Sequence, residues 1–296
     1  MKEKIIRQLH DLIEERNNRL VQLAEMRTDH IETIEERKVN MHSKRGAEIV
    51  RSFVEGDIIR SLQIGTLLLV DYVQHVEQLI RMKDSVYMEE QFDYRRAVFE
   101  NGELVNDKTV TPFWEKKRNI DHRLKNQEND VSNDERFVYN RRNAVRYAER
   151  WWNDYNPSYN KFNDNCTNFI SQCLRAGDAP MIGHPNRTKG WWYQSNNWSF
   201  SWSVAHAFRW HLSGAKTGLR GQEVQSAKEL EVGDVICYDF NGDGRWQHTT
   251  LIVAKDPNGE PLVNAQSTNS RMRYWTYEDS TAWTPDIQYK FFHIVD

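Results

Sequence analysis

A cysteine at the head of an amphipathic segment is the most reactive arrangement in this sequence. Between Phe162 and Gly177, the residues Cys166, Phe169, Ile170, Cys173 and Leu174 recur at i, i+3, i+4, i+7 and i+8, the spacing of a helical stripe. Asp164 or Asn165 can cap its start, and Gly177 can end it in the left-handed conformation. Cys166 then falls in the first turn, where unpaired backbone N–H groups and the helix dipole favour a thiolate over a thiol. A thiolate attacks a carbonyl carbon and forms a thioester. The same stripe also suits a packed side chain, because free cysteine is among the most buried residue types. Cys173, mid-helix, and Cys237, in a Val-Ile-Cys-Tyr run, read as packing.

A nucleophilic cysteine needs a base, and that base can lie far off in sequence. Of ten histidines, His248 has the most suggestive context. It follows the turn-rich stretch Asp239-Phe-Asn-Gly-Asp-Gly244 and opens Thr-Thr-Leu-Ile-Val-Ala, so it stands at the mouth of a strand. An exposed turn histidine is the plainer alternative. His206 and His211 are five apart and do not share a helical face, and no His-Glu-x-x-His pattern points to zinc. The Asp239 stretch resembles a calcium loop only superficially. Its twelfth position is Thr250, not a bidentate Glu, so it reads as a tight turn. No cofactor is expected. A serine nucleophile elbow, a P-loop and a dinucleotide fingerprint are all missing from the sequence.

These residues need elements to position them. The chain has 296 residues, enough for two domains. Its apolar share is 39%, below the usual ~45–50%, but its 12% aromatic content is not that of a disordered chain. A net charge of −3 gives no case for nucleic acid. The longest apolar run, Ile64–Val70, is too short to span a bilayer, and the charged N-terminus does not resemble a signal peptide. Three cysteines do not make a disulfide framework. The default expectation is a cytoplasmic location, with release on lysis or a spore-associated location as alternatives.

The first forty residues read as one charged helix, with Ile6, Leu9, Ile13, Leu20, Leu23, Ile31 and Ile34 near one stripe and Arg16, Arg27 and His30 interrupting it. Such a helix is either laid across another surface or self-associates as a coiled coil. From Arg45 to Val110 the pattern turns to β-formers, with an Asn101-Gly102 hairpin signal. Here Glu89, Glu90 and His75 read as solvated side chains. Residues 111–137 are polar and read as a linker. Ten of the eleven tryptophans follow residue 138. The expected organisation is a helix and antiparallel-sheet domain over 1–110, the linker, and a second domain over 138–296.

Several strings in the second half resemble one family. Tyr139-Asn-Arg-Arg-Asn-Ala-Val-Arg-Tyr-Ala-Glu-Arg-Trp-Trp152, Asn165-Cys-Thr-Asn-Phe-Ile-Ser-Gln-Cys-Leu174, Trp191-Trp192, Val232-Gly-Asp-Val235 and Gln247-His248 are similar to the putative amidase domain of spore-forming Gram-positive bacteria. That family resembles the papain-like NlpC/P60 and CHAP hydrolases, which mostly cut peptidoglycan amides. The resemblance implies an α+β papain-like fold over about 138–296, Cys166 as nucleophile and His248 as general base. Relatives often carry the orienting third residue as His in an Ala-His-Ser/Thr string. Here Ala265-Gln266-Ser267-Thr268 stands in its place, so Gln266 is the expected third residue and Asn264 the second choice. An amide oxygen can accept from the imidazole N–H and fix its tautomer.

The parity of the strand pairing decides which residues share a face with His248. An odd-length loop around Pro257-Asn-Gly259 presents Asn264, Gln266 and Thr268, whereas a two-residue loop presents Ser267 and Asn269. The Cys166 N–H is the natural oxyanion donor, aided by a second group that the sequence does not identify. Asn165 stands where the family usually has Asp, and an uncharged neighbour does not oppose thiolate formation. Trp191, Trp192, Trp198 and Trp202 can line a substrate groove or form a Trp-rich core. The expected substrate is a peptide or peptidoglycan amide. The alternatives are a non-catalytic wall- or peptide-binding module on the same fold, and an N-terminal half that docks a protein partner.

Overall fold

Thr33 and Glu36 divide the charged N-terminal segment into two helices, where the stripe alone suggested one. The structure is a computed structural model describing residues 2–26, 33–110 and 137–296. Helix α1 spans Lys2–Met26 and α2 spans Ile34–Lys44. The Thr33 hydroxyl accepts from Glu36 N at 3.2 Å, and the Glu36 carboxylate accepts from Thr33 N at 2.9 Å. This reciprocal box fixes a helix start at Thr33. The buried stripe of α1 carries Ile5, Leu9 and Leu20, while Ile6 is exposed. Arg16, which interrupts the stripe, reaches Asp107 at 2.5 Å and Gln74 at 3.2 Å. Asn17 donates to the Ser52 carbonyl. The interruptions are therefore polar anchors onto a sheet, as a helix laid across a surface requires.

Two compact units make up the chain: Met1–Glu115 with Tyr277–Thr281, and Lys116–Thr276 with Ala282–Asp296. The polar segment expected as a linker lies outside the described residues except for Phe137. In the first unit, β1 (Ala47–Ile64), β2 (Leu67–Met82), β3 (Ser85–Glu100) and β4 (Glu103–Thr109) pair antiparallel in chain order. Asn101 and Gly102 both have positive φ, 52° and 82°, as a two-residue turn matching strand twist needs. Period-two alternation sends Val70, Tyr72, Ile80 and Met82 to the helix-covered face. There they pack with Ile5, Leu9, Leu20 and Val39. Glu89, expected to be solvated, is 1% exposed. It pairs with the buried Lys38, which also reaches Asp279 at 3.1 Å.

The second unit is α+β. Helices α3 (Arg141–Trp151), α4 (Cys166–Ala176), α5 (Phe200–Ser203) and α6 (Ala205–Gly214) accompany a short hairpin, β5 (Tyr193–Gln194) and β6 (Asn197–Trp198). An antiparallel sheet runs in the order β11 (Ser270–Tyr274), β10 (Pro261–Ala265), β9 (His248–Lys255), β8 (Val235–Asp239), β12 (Gln288–Val295), β7 (Arg220–Val224). Helix α4 is buried on every side from Cys166 to Leu174, so its stripe is one face of a core helix. Gly177 ends it with φ −84°, not in the left-handed form expected; Asp178, at φ 71°, takes that conformation instead. The glycine is needed for space, since a Cβ there would lie 2.5 Å from the Tyr139 ring and 3.0 Å from Asn140 O. Among the described residues no helix is long and apolar enough to cross a membrane.

Candidate active site around Cys166

Cys166 is the first residue of α4, and its thiol faces the mouth of β9. Its Sγ lies 3.7 Å from Thr167 Oγ1 and 4.0 Å from the Gln247 carbonyl oxygen. Next to it, Thr167 and Thr249 bring their hydroxyls to 3.2 Å and join the helix to the strand. Cys166 as a residue is 4% exposed. Burial pushes its pKa up, against the lowering influence of the Thr167 hydroxyl and nearby backbone, and Asp164 adds to the rise. The helix terminus alone suggested a thiolate; desolvation opposes it here and favours the neutral thiol. Cys173 and Cys237 are fully buried, as packing residues should be.

His248 opens β9, as its turn-to-strand context suggested, but its ring is buried. Four consecutive pairs join β8 and β9 without a bulge, from Tyr238↔His248 and Cys237↔Thr249 to Val235↔Leu251. Because side chains alternate across a strand, His248 shares a face with Tyr238 and Thr250. The ring centroids of His248 and Tyr238 are 5.5 Å apart, and Tyr238 Oη lies 3.1 Å from Thr250 Oγ1. Thr249 points the other way, to α4. The pleat thus separates the imidazole from the face on which Thr167 meets the sheet. Burial, then the Arg273 charge, lowers the His248 pKa to about 3. His206 stands at the same strand mouth, with Nδ1 3.4 Å from Trp246 N.

Gln266 does not face His248. The loop between β9 and β10 is five residues long, since Lys255 pairs with Pro261, but a bulge follows: Leu262 pairs with Ala254 and Val263 with Ile252. That extra residue reverses the parity expected of an odd loop and sets Asn264 opposite Leu251. Asn264 donates to Glu149 at 2.8 Å. Gln266 Nε2 donates to the Trp151 and Asp154 carbonyls at 2.6 and 2.7 Å, and its Oε1 accepts from Asn165 Nδ2. The expected role of Gln266 as orienter of the imidazole is therefore corrected: it braces the turn before Cys166. The brace continues as Asn168 Nδ2 donates to Asn165 Oδ1 and Trp202 Nε1 donates to Asn168 Oδ1.

Ser267 completes the surroundings of the helix start. Its Oγ accepts from Asn165 N at 2.9 Å and from Cys166 N at 3.2 Å. Sequence reading placed Ser267 only as one outcome of loop parity, and nothing local signals this contact. The asparagines three apart, Asn165 and Asn168, were the available sign of a side-chain network.

The tryptophans divide. Trp191 and Trp192 are each 1% exposed. Trp191 Nε1 donates to Ser171 Oγ at 2.9 Å and Trp192 Nε1 to the Asn186 carbonyl at 3.1 Å. These two and Trp202 form the core behind α4, which corrects their reading as groove residues. Buried indoles with satisfied N–H groups have nothing to offer a ligand. Trp198 is half-buried beneath the Arg187 guanidinium and beside Phe162. The Asp239 stretch is a tight turn: the carboxylate accepts from Gly242 N at 3.0 Å and Gly244 N at 2.7 Å. Its ligand oxygens are spent on its own backbone.

The second unit is thus an α+β unit that sets Cys166, at a helix start, against an antiparallel sheet. Residues 138–292 match the family described as the putative amidase domain, and the chain belongs to that family. The family description points to hydrolysis of amides. The chain is similar to the uncharacterized protein YhbB of Bacillus subtilis (strain 168), at 49% identity over 268 residues, covering 88% of this chain and 86% of that protein. It is also similar to the uncharacterized protein YjcM of the same strain, at 33% identity over 135 residues, covering 43% of this chain and 30% of that one. No solved structure matches the chain.

Proposed function

We propose that this protein hydrolyses amide bonds with Cys166 as nucleophile, acting on peptide amides of peptidoglycan from a papain-like domain over 138–296. The observation that carries the reading is the thiol at the first residue of α4, beside two backbone N–H groups, within the stretch that matches the amidase family. Sγ attacks the carbonyl carbon and the C=O pair moves onto oxygen. That oxyanion collapses as the leaving nitrogen takes up the proton removed from the thiol, the amine departs, and water then hydrolyses the thioester. His248 is the base that the family resemblance assigns. Its ring lies on the strand face opposite Thr249 and burial lowers its basicity, so taking the thiol proton through it calls for a rearrangement at the mouth of β9. Trp198 is the aromatic residue left to meet a substrate. The N-terminal module over 1–110 is proposed to support this domain or to dock a partner.

A second reading has a specific observation in its favour: the thiol is buried, and its observed hydrogen-bond neighbours are a hydroxyl and a carbonyl rather than an imidazole. On that reading the domain binds wall peptides without turnover. Incubating the full chain with muropeptides, and reading new amino and carboxyl groups by mass spectrometry, separates the two. Turnover lost in Cys166→Ala, with His248→Ala strongly reduced, supports the hydrolase. Wall binding by the native chain without turnover, unchanged in Cys166→Ala, supports the binding module. If His206→Ala is the slow variant and His248→Ala is not, the base is reassigned.

A further inference from the structure

We infer that the Ser267 hydroxyl occupies the oxyanion position of the Cys166 site and must leave it before an acyl group can transfer. The inference rests on the reading of Cys166 as nucleophile and adds a gate to it. Two adjacent backbone donors, Asn165 N–H and Cys166 N–H, converge on one oxygen, Ser267 Oγ, at 2.9 and 3.2 Å. Oxyanion donors converge in this way, two N–H groups aimed at one point about 3 Å away, and here one of the two belongs to the nucleophile's own residue. The second donor that sequence could not identify is thus the N–H of Asn165. Both donors are spent on a neutral hydroxyl in the resting protein.

The surroundings make the hydroxyl displaceable while fixing the donors. Asn165 is held from the other side by Gln266, Asn168 and the Phe162 N–H. Its backbone therefore stays in place if Ser267 leaves. Ser267 itself lies in the turn after β10, half-buried, with a positive φ of 91° that a side-chain-bearing residue rarely adopts. During acylation the C–S bond forms and the carbonyl π pair moves to oxygen. That charged oxygen takes the two N–H bonds from Ser267, whose hydroxyl turns to water. Charge-assisted bonds are roughly twice as strong as neutral ones, so the exchange favours the transition state.

The test compares two probes of the same thiol in the full chain. p-Nitrophenyl acetate acylates Sγ through an oxyanion and releases nitrophenolate; iodoacetamide alkylates Sγ with loss of iodide and forms no oxyanion. Ser267→Ala and Ser267→Gly both remove the hydroxyl, and Gly tolerates the positive φ without strain. The expected result is a rise of about fivefold in the acylation burst, the factor for one net hydrogen bond, with alkylation changed by much less. Equal changes in both rates, or no rise in acylation by either variant, overturn the gate. Cys166→Ala is run beside them. A burst that survives in it removes the nucleophile and the gate together, whereas a burst lost there but unmoved by the Ser267 variants removes the gate alone.

Discussion

Protonation at the site is decided by burial, and this gives the residue-scale predictions. The Cys166 thiol is raised and the His248 imidazole lowered, both chiefly by desolvation. Cys166 alkylation by iodoacetamide should accordingly be slow at pH 7 and should accelerate toward pH 9, the opposite of a preformed thiolate. A rate already on its plateau at pH 6 would show a thiolate. For His248 the folded pKa of about 3 lies below the ~6.5 of an unfolded histidine. The folded state thus binds fewer protons, and the stability this represents is complete above about pH 6.5 and is lost as pH falls toward 3. Burial lowers His211 to about 4, which acts in the same direction. Thermal unfolding at pH 7 and pH 4.5 should show a smaller acid loss in His248→Gln than in the native chain. Equal losses would contradict the buried neutral ring.

At the scale of elements, helix ends and strand register position the site. Gly177 gives α4 its close approach to Tyr139, and Asn140 N donates to Gly177 O at 2.9 Å. Gly177→Ala should force that contact apart and destabilise the protein by about 1–3 kcal/mol, read as a lower Tm. An unchanged Tm would mean that Tyr139 moves freely. Thr33→Ala removes the box that starts α2 and should cost about 1 kcal/mol. Register matters more to chemistry than either cap. The bulge in β9 sets Asn264 on the α3 side, with Glu149, and Gln266 follows to the turn before Cys166.

At the scale of the whole molecule the division is not a single cut in the chain, because Tyr277–Thr281, late in sequence, belongs to the first unit. Within that unit the buried Lys38 meets Glu89 and Asp279, while Lys44 meets Glu278 at 2.9 Å. Lys38→Met leaves two carboxylates buried without their cation and should cost about 3–5 kcal/mol. Urea unfolding checks this, and Asp279→Asn in the same background should recover part of the loss.

Local features were legible in the sequence because they depend on neighbours a few residues away. The α4 stripe with Cys166 at its head, the Asn101-Gly102 turn and His248 at a strand mouth are of this kind. Caps were less secure: the Thr33–Glu36 box lay unread inside an apparently continuous stripe, and Gly177 was needed for space rather than for its φ. Only tertiary structure decided the rest. Asn165 meets Gln266 from 101 residues away and Cys166 meets Ser267 across the same separation. The face of β10 turns on one extra residue in β9. The raised thiol and the lowered imidazole reflect packing from the whole unit. Propensity and spacing act along the chain; desolvation and register act between distant segments, and it is these that set what Cys166 can do.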